Sequence, residues 1–229
     1  MKSGTKEELQ KLKESKMKIE IIPGILESSW LEIERKIEKV KSFAKIIHID
    51  LIDGKFADNT TFLDPEPFKK YSQDLFFELH MMVVNPVSYL KPFADAGFKR
   101  FLGHIEKMPD QAEFVAQGQM LGEVGLALDG PTSLSEISVP LSDLDSILVM
   151  DITAGFSGQK FNEIYLKKVE ELRNKTSIPI EVDGGINDET IKAAFDAGAT
   201  RFVATSFIQA HENPFEQFSI LHDKLGLPK

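Results

Sequence analysis

The stretch Ile46-Ile47-His48-Ile49-Asp50-Leu51-Ile52-Asp53-Gly54 decides how the rest of the chain is read. It opens as an apolar, β-branched run of the kind that forms a strand buried on both faces. Side chains alternate along a strand, so His48 and Asp50 leave one face while Ile47, Ile49 and Leu51 leave the other. Asp53-Gly54 then ends the strand with turn chemistry. An imidazole and a carboxylate at the end of a buried strand need a compensating partner, because unpaired polar groups are costly to bury. One reading is a core histidine tied to its neighbouring aspartate. The other is a pair of metal ligands.

The same kind of unit recurs on both sides of this stretch. Strands are expected at Lys18–Ile22 (stopped by Pro23-Gly24), Ile46–Asp50, Leu75–His80, Arg100–His104, Val124–Leu128, Ile147–Met150, Pro179–Asp183 and Arg201–Thr205. Between them lie amphipathic helical patterns. The first opens with the capping-box spacing Ser29-x-x-Glu32 and carries Leu31, Ile33, Ile37, Val40 and Phe43-Ala44. Others cover Pro86–Ala96, Pro109–Leu121, Leu134–Leu141 (short), Ile164–Asn174 and Thr190–Ala197, with Phe215–Leu225 closing the chain. Two helices end at Ala96-Gly97 and Ala197-Gly198 just before a strand, as a left-handed glycine cap predicts. Eight evenly spaced strand–helix units without polar linkers predict an α/β fold, a single (β/α)8 TIM barrel over residues 18–229. A doubly wound open sheet fits the even spacing less well. Residues 1–17 read as a polar N-terminal extension dominated by Lys and Glu.

Composition narrows the function. A chain of 229 residues, 42% hydrophobic and 28% charged, suits one soluble globular domain with a sizeable core. A net charge of −9 argues against nucleic acid or an anionic membrane surface as partner. No run approaches a membrane span and the lysine-rich start lacks the apolar core of a signal peptide, so a cytoplasmic location is expected. With no cysteine, any metal must be held by His, Asp and Glu.

A barrel of this kind builds its active site at the C-terminal ends of the strands. Those ends carry His48-x-Asp50, Glu78-x-His80-x-Met82, His104 followed by Glu106, Met150, and Glu181-x-Asp183-Gly184-Gly185. His211 and His222, near or in the last helix, read as surface residues. His48, Asp50, His80 and Asp183 together offer two imidazoles and two carboxylates, a donor set suited to zinc, iron(II), manganese or cobalt. Glu78 and Glu181, two residues before a ligand and on its face, are candidates to orient it or to form salt bridges in the barrel interior. Gly155-Phe156-Ser157-Gly158 after strand six, Gly184-Gly185 after strand seven and Thr205-Ser206 at the end of strand eight lie where backbone N–H groups can meet a phosphate.

These motifs, with Gly125-Leu126-Ala127-Leu128 and His104-Ile105-Glu106, resemble in order those of the ribulose-phosphate 3-epimerases, from Ile22 to about Ile208. The resemblance implies one divalent metal, most often zinc, on His48, Asp50, His80 and Asp183. It implies that Asp50 and Asp183 are the acid and base that invert C3 of a ketopentose phosphate, interconverting D-ribulose 5-phosphate and D-xylulose 5-phosphate. It also implies that Met82 and Met150 wall the reacting carbons and that the chain is a homo-oligomer, a dimer or hexamer. Trp30 and Phe43 on the first helix would then be interface or core residues. The chain departs from the family pattern at Gly24, where Ser is usual, at Ile52 for Met and at Thr205 for Gly. Asp129-Gly130 and Thr153-Ala154 each replace Asn-Pro, and Asp151 replaces Thr. No departure touches the four candidate ligands. A ketohexose 6-phosphate epimerase and a non-catalytic sugar-phosphate-binding barrel are the alternatives. A decarboxylase of the orotidine-phosphate type is disfavoured, because Asp50-Leu51-Ile52-Asp53 carries no lysine.

Overall fold

A computed structural model describes residues 18–151 and 161–227. Eight parallel strands close into a barrel in chain order: β1 (Glu20–Ile25), β2 (Ile46–Ile52), β3 (Phe76–Met82), β4 (Phe98–His104), β5 (Glu123–Leu128), β6 (Ser146–Met150), β7 (Ile180–Asp183) and β8 (Arg201–Ala204). Closure by β8 against β1 rules out the doubly wound sheet. Helices cover the outside: α1 (Trp30–Val40), α2 (Val87–Asp95), α3 (Gln111–Gln119), α4 (Leu166–Lys175), α5 (Ile191–Asp196), α6 (Ser206–Gln209) and α7 (Pro214–Leu225).

The strands alternate as their sequences require. Outward residues such as Ile47, Ile49, Leu79, Phe101, Leu126, Val149 and Val182 pack against the helices in one large buried cluster. The inward residues divide the lumen into two halves. Leu102, Ala127, Leu148 and Met150 join Ile52 and Met82 in a separate apolar cluster. On the other side, β2, β3 and β7 send His48, Asp50, Glu78, His80, Glu181 and Asp183 into the same lumen, all buried. The polar side chains of β2, β3 and β7 thus share the lumen with a separate apolar cluster.

Local signals hold at several helix ends. Ser29 caps α1 by accepting from the Glu32 N–H, and Gly97 and Gly198 take positive φ. Two expectations need correction. β1 is not stopped by Pro23-Gly24 but runs to Ile25, with Pro23 in register with Ala204 and Gly24 with His48. Proline's φ suits an extended backbone and its missing N–H removes only one ladder donor. The helix expected over Leu134–Leu141 is instead two 3-10 turns, Leu134–Glu136 and Leu141–Asp143. Pro140 has no N–H and would press its ring on the Glu136 carbonyl of a continuing helix. The N-terminal extension, residues 1–17, lies outside the described residues.

Trp30 and Phe43 pack within the chain. Trp30 meets Phe62, Phe68 and Tyr71, and Phe43 meets Phe215 and Phe218.

Candidate active site

Strand register assembles the polar group. Asp50 stands opposite His80 across β2 and β3, and Met150 opposite Asp183 across β6 and β7. His80 Nδ1 lies 2.8 Å from Asp50 Oδ1 and 3.6 Å from Asp183 Oδ2. His48 Nε2 lies 3.3 Å and 3.9 Å from the same two oxygens. One donor atom from each of these four buried side chains lies within 4.8 Å of every other. That spacing and N2O2 chemistry could hold a divalent metal ion.

Each imidazole keeps its second nitrogen for a partner behind it. His48 Nδ1 is 2.6 Å from Glu78 Oε1 and 3.4 Å from Glu181 Oε1. Glu78 Oε2 in turn accepts from Arg100 Nη1 at 2.5 Å. Arg100 continues to Glu123 and Glu20, and Arg201 joins the same two glutamates. Glu78 thus fulfils both roles open to it, orienting a histidine and bridging to an arginine. On the other side, His80 Nε2 is 2.9 Å from His104 Nε2, and His104 Nδ1 is 2.8 Å from Glu106 Oε2.

Proton affinities split within the group. Burial acts to raise both Asp50 and Glu78. His48 and His80 outweigh it at Asp50, and Arg100 with His48 at Glu78, holding both far below the usual carboxylate range. Burial, reinforced by the charge of Asp50, pushes Asp183 up to about 6. Burial and the charge of Glu78 push Glu181 up to about 7, and both its oxygens lack a hydrogen-bond partner among the described residues. His48 is raised well above its ordinary value, because Asp50, Glu181 and Glu78 overcome the opposing effect of burial. Four carboxyls gathered out of water carry more negative charge than burial tolerates, and protons collect on the group in compensation.

The wall and cradle positions fall at the same mouth. Met82 and Met150 are buried beside Ile52, with Phe56 and Ala57 packed over them. Gly184 and Gly185 follow β7 with φ of 112° and 69°, and the backbone of Phe161 approaches so closely that a Cβ on Gly185 would lie 2.8 Å from its nitrogen. Thr205 and Ser206 follow β8, and Thr205 fills the space beside Gly24. Gly155, Phe156, Ser157 and Gly158, expected on the phosphate, lie outside the described residues.

Comparison with known proteins decides the family. The model of the ribulose-phosphate 3 epimerase family matches residues 20–209. The chain belongs to the ribulose-phosphate 3-epimerase family. Relatives named ribulose-phosphate 3-epimerase include one from Schizosaccharomyces pombe, 32% identical over 213 residues that cover 90% of this chain and 93% of that one. The cytoplasmic isoform from Oryza sativa subsp. japonica is 34% identical, covering 88% and 92%, and the Bacillus subtilis protein is 34% identical, covering 83% and 92%. This family member is accordingly an epimerase. Among solved structures, a 3-hexulose-6-phosphate synthase from Salmonella typhimurium superposes with a TM-score of 0.69 at 15% identity, covering 90% of this chain and 98% of that one. That likeness speaks to the barrel alone.

The structure brings His48, Asp50, His80 and Asp183 together, with Met82 two residues beyond His80 on β3 and Met150 in register with Asp183. His104 and Glu106 were visible at the strand-four end, but no local signal tied them to His80. That contact exists only through the β3–β4 register. His211 is exposed, and His222 is partly buried with Nδ1 on the Phe218 carbonyl, away from the mouth. No helix among the described residues is long and apolar enough to cross a membrane.

Proposed function

We propose that the chain interconverts D-ribulose 5-phosphate and D-xylulose 5-phosphate by two-base proton transfer at C3. The observation that carries this reading is the pairing of Asp50 on β2 with Asp183 on β7 in one buried group, with proton affinities driven apart. Carboxyls set at different affinities in one site are the pattern expected of an acid and a base. Inversion next to a carbonyl passes through a planar enediolate, so one group removes the C3 proton from one face and the other returns a proton to the opposite face. Asp50 and Asp183 take these roles.

The residues present fit a divalent cation. His48 Nε2, His80 Nδ1, Asp50 and Asp183 would hold it, with zinc first in order and iron(II), manganese or cobalt as alternatives, since no thiolate is present. Such an ion supplies Lewis-acid stabilisation of the negative charge that develops on the sugar oxygens. The chain's own side chains do the rest. Glu78 fixes His48 through Nδ1, and Met82, Met150 and Ile52 keep water from the reacting carbon. The backbone at Gly184, Gly185, Thr205 and Ser206 is proposed to take the phosphate. Gly155 to Gly158 are proposed to complete that cradle.

An acidic, cysteine-free chain fits a cytoplasmic enzyme, and we extend the reading to a homo-oligomer on the family resemblance. The Gly24 and Thr205 departures beside the mouth favour one second reading, a ketohexose 6-phosphate epimerised at the same carbon. Solvent deuterium incorporation at C3, followed by NMR with and without chelator, tests the proposal. Exchange with xylulose 5-phosphate formation is expected for the pentose phosphate and not for Asp183→Asn. Absence of exchange on ribulose 5-phosphate by the metal-loaded protein would sink the pentose assignment.

A further inference from the structure

His104 and Glu106 have no role in the proton transfer above, yet they form a continuous chain with His80. From β4, His104 presents Nε2 to His80 Nε2 at 2.9 Å and Nδ1 to Glu106 Oε2 at 2.8 Å. Glu106 is anchored at its other oxygen, Oε1, by the Asp129 backbone N–H at 2.7 Å. The ring of His104 stacks on His80 with 28° between planes, and Phe56 packs against it, tilted, at 4.9 Å. His104 and His80 are fully buried, so water offers neither nitrogen pair an alternative partner.

With neutral rings, only one set of protons satisfies both the His104–Glu106 and the His80–His104 contacts. A carboxylate can only accept, so a neutral His104 must carry its proton on Nδ1 to bond Glu106. Its Nε2 is then a lone pair facing His80, and His80 must carry its own proton on Nε2. The remaining nitrogen of His80, Nδ1, approaches the Asp50 carboxylate at 2.8 Å, so a shared proton lies there until a metal ion takes its lone pair. Nδ1 is the atom that faces Asp50 and Asp183. With the opposite tautomers, two lone pairs would meet at 2.8 Å between His104 and Glu106. We propose that Glu106 and His104 are positioning residues that lock the tautomer of His80, so that Nδ1 is the nitrogen offered to a metal ion. The proposal rests on the reading of the four-residue group as a metal centre. It makes the two histidines of that centre separately controlled: His48 by Glu78 through Nδ1, and His80 by Glu106 through an intervening imidazole.

The anchoring of Glu106 makes the proposal testable by one atom. In Glu106→Gln the single amide oxygen is claimed by the Asp129 N–H, which turns the NH2 toward His104 Nδ1. The chain then reverses, and His80 carries its proton on Nδ1, where the metal would bind. In His104→Gln the amide oxygen can still accept from His80 Nε2, whereas His104→Phe leaves that N–H unpaired. Zinc affinity of the full chain is measured by competition with a chromophoric chelator, with circular dichroism to follow the fold. Glu106→Gln and His104→Phe are expected to bind zinc about 10- to 100-fold more weakly, and His104→Gln to recover most of the loss. In parallel, 15N-histidine NMR of the zinc-loaded wild-type chain should show His104 protonated on Nδ1 and His80 on Nε2. Wild-type affinity in a folded Glu106→Gln, or the reverse tautomer pattern in the wild type, overturns the relay. A wild-type chain that holds no zinc overturns the metal reading and the relay with it.

Discussion

Thr205, at the end of β8, occupies the space beside Gly24 in β1: a Cβ on residue 24 would fall within the van der Waals envelope of Thr205 Oγ1 and 3.0 Å from Val203 Cγ1. Gly24 is also in register with His48, so the exchange sits one strand from the polar group. The side chain of Thr205 on one strand thus takes the space that a side chain at residue 24 on its neighbour would need. Gly24→Ser alone is expected to cost about 1–3 kcal/mol through overpacking. Combined with Thr205→Gly, most of that cost should disappear. Urea denaturation of the four members of the cycle measures the coupling, and additive effects would show that the two positions are independent.

On the two-base reading proposed above, Asp50→Asn and Asp183→Asn each remove one proton-transfer group. Turnover is expected to fall about 10²–10⁴-fold in either variant. If each aspartate serves one side of the carbon, as that reading requires, the two variants should differ in which epimer still exchanges its C3 hydrogen with solvent. NMR of both epimers in deuterium oxide distinguishes this from simple loss of substrate binding, which would abolish exchange in both.

Arg100 is almost wholly buried and holds Glu78 at 2.5 Å and Glu123 at 2.7 Å. Arg100→Met would leave a buried glutamate charge uncompensated, at a cost of about 3–5 kcal/mol. Adding Glu78→Gln to that variant should return part of the stability while releasing His48 from its charged partner. Thermal melts of the single and double variants check the order.

Asp151 follows β6 and is buried, with Oδ2 accepting from the Asn162 N–H and Oδ1 without a partner among the described residues. Burial pushes its carboxyl up to about 7. With the folded value above the unfolded one, the stability that the protonated carboxyl contributes is complete below pH 4. It is lost as pH rises through about 7. Asp151→Asn, which cannot ionise, should match the wild type near pH 4 and exceed it by roughly 1–3 kcal/mol at pH 8. Melts across that range provide the comparison, and a constant difference would mean that Asp151 does not titrate there.

Chelation offers a further check. Asp50, Asp183, Glu78 and Glu181 share one buried space, and a cation bound among them opposes their repulsion. Zinc at about a hundred times its dissociation constant should stabilise the folded chain by about 2.7 kcal/mol. The effect should vanish in the double variant His48→Ala, His80→Ala. Calorimetric scans with and without chelator measure it.

Much of this was written locally. Period-2 alternation is a covalent property of an extended chain, so His48 with Asp50, Glu78 with His80 and Glu181 with Asp183 were bound to share a face wherever their strands lay. Repeated strand–helix units then placed those faces at one end of a barrel. Helix caps at Ser29, Gly97 and Gly198 followed from local hydrogen bonding and glycine's tolerance of positive φ. Where one proline acted within a turn, at Pro140, the pattern misled, because a single missing donor ended a helix that apolar spacing favoured. The contacts that finish the site were of another kind. Asp50 opposite His80, His104 against His80, Thr205 beside Gly24 and Arg100 under Glu78 each depend on strand register and barrel closure. Those are set by the packing of the whole outer shell of side chains against the helices. Residue types and faces were legible in the sequence because they are consequences of chain geometry. Which nitrogen meets which oxygen was decided only when eight strands, closed by long-range packing, were held in register.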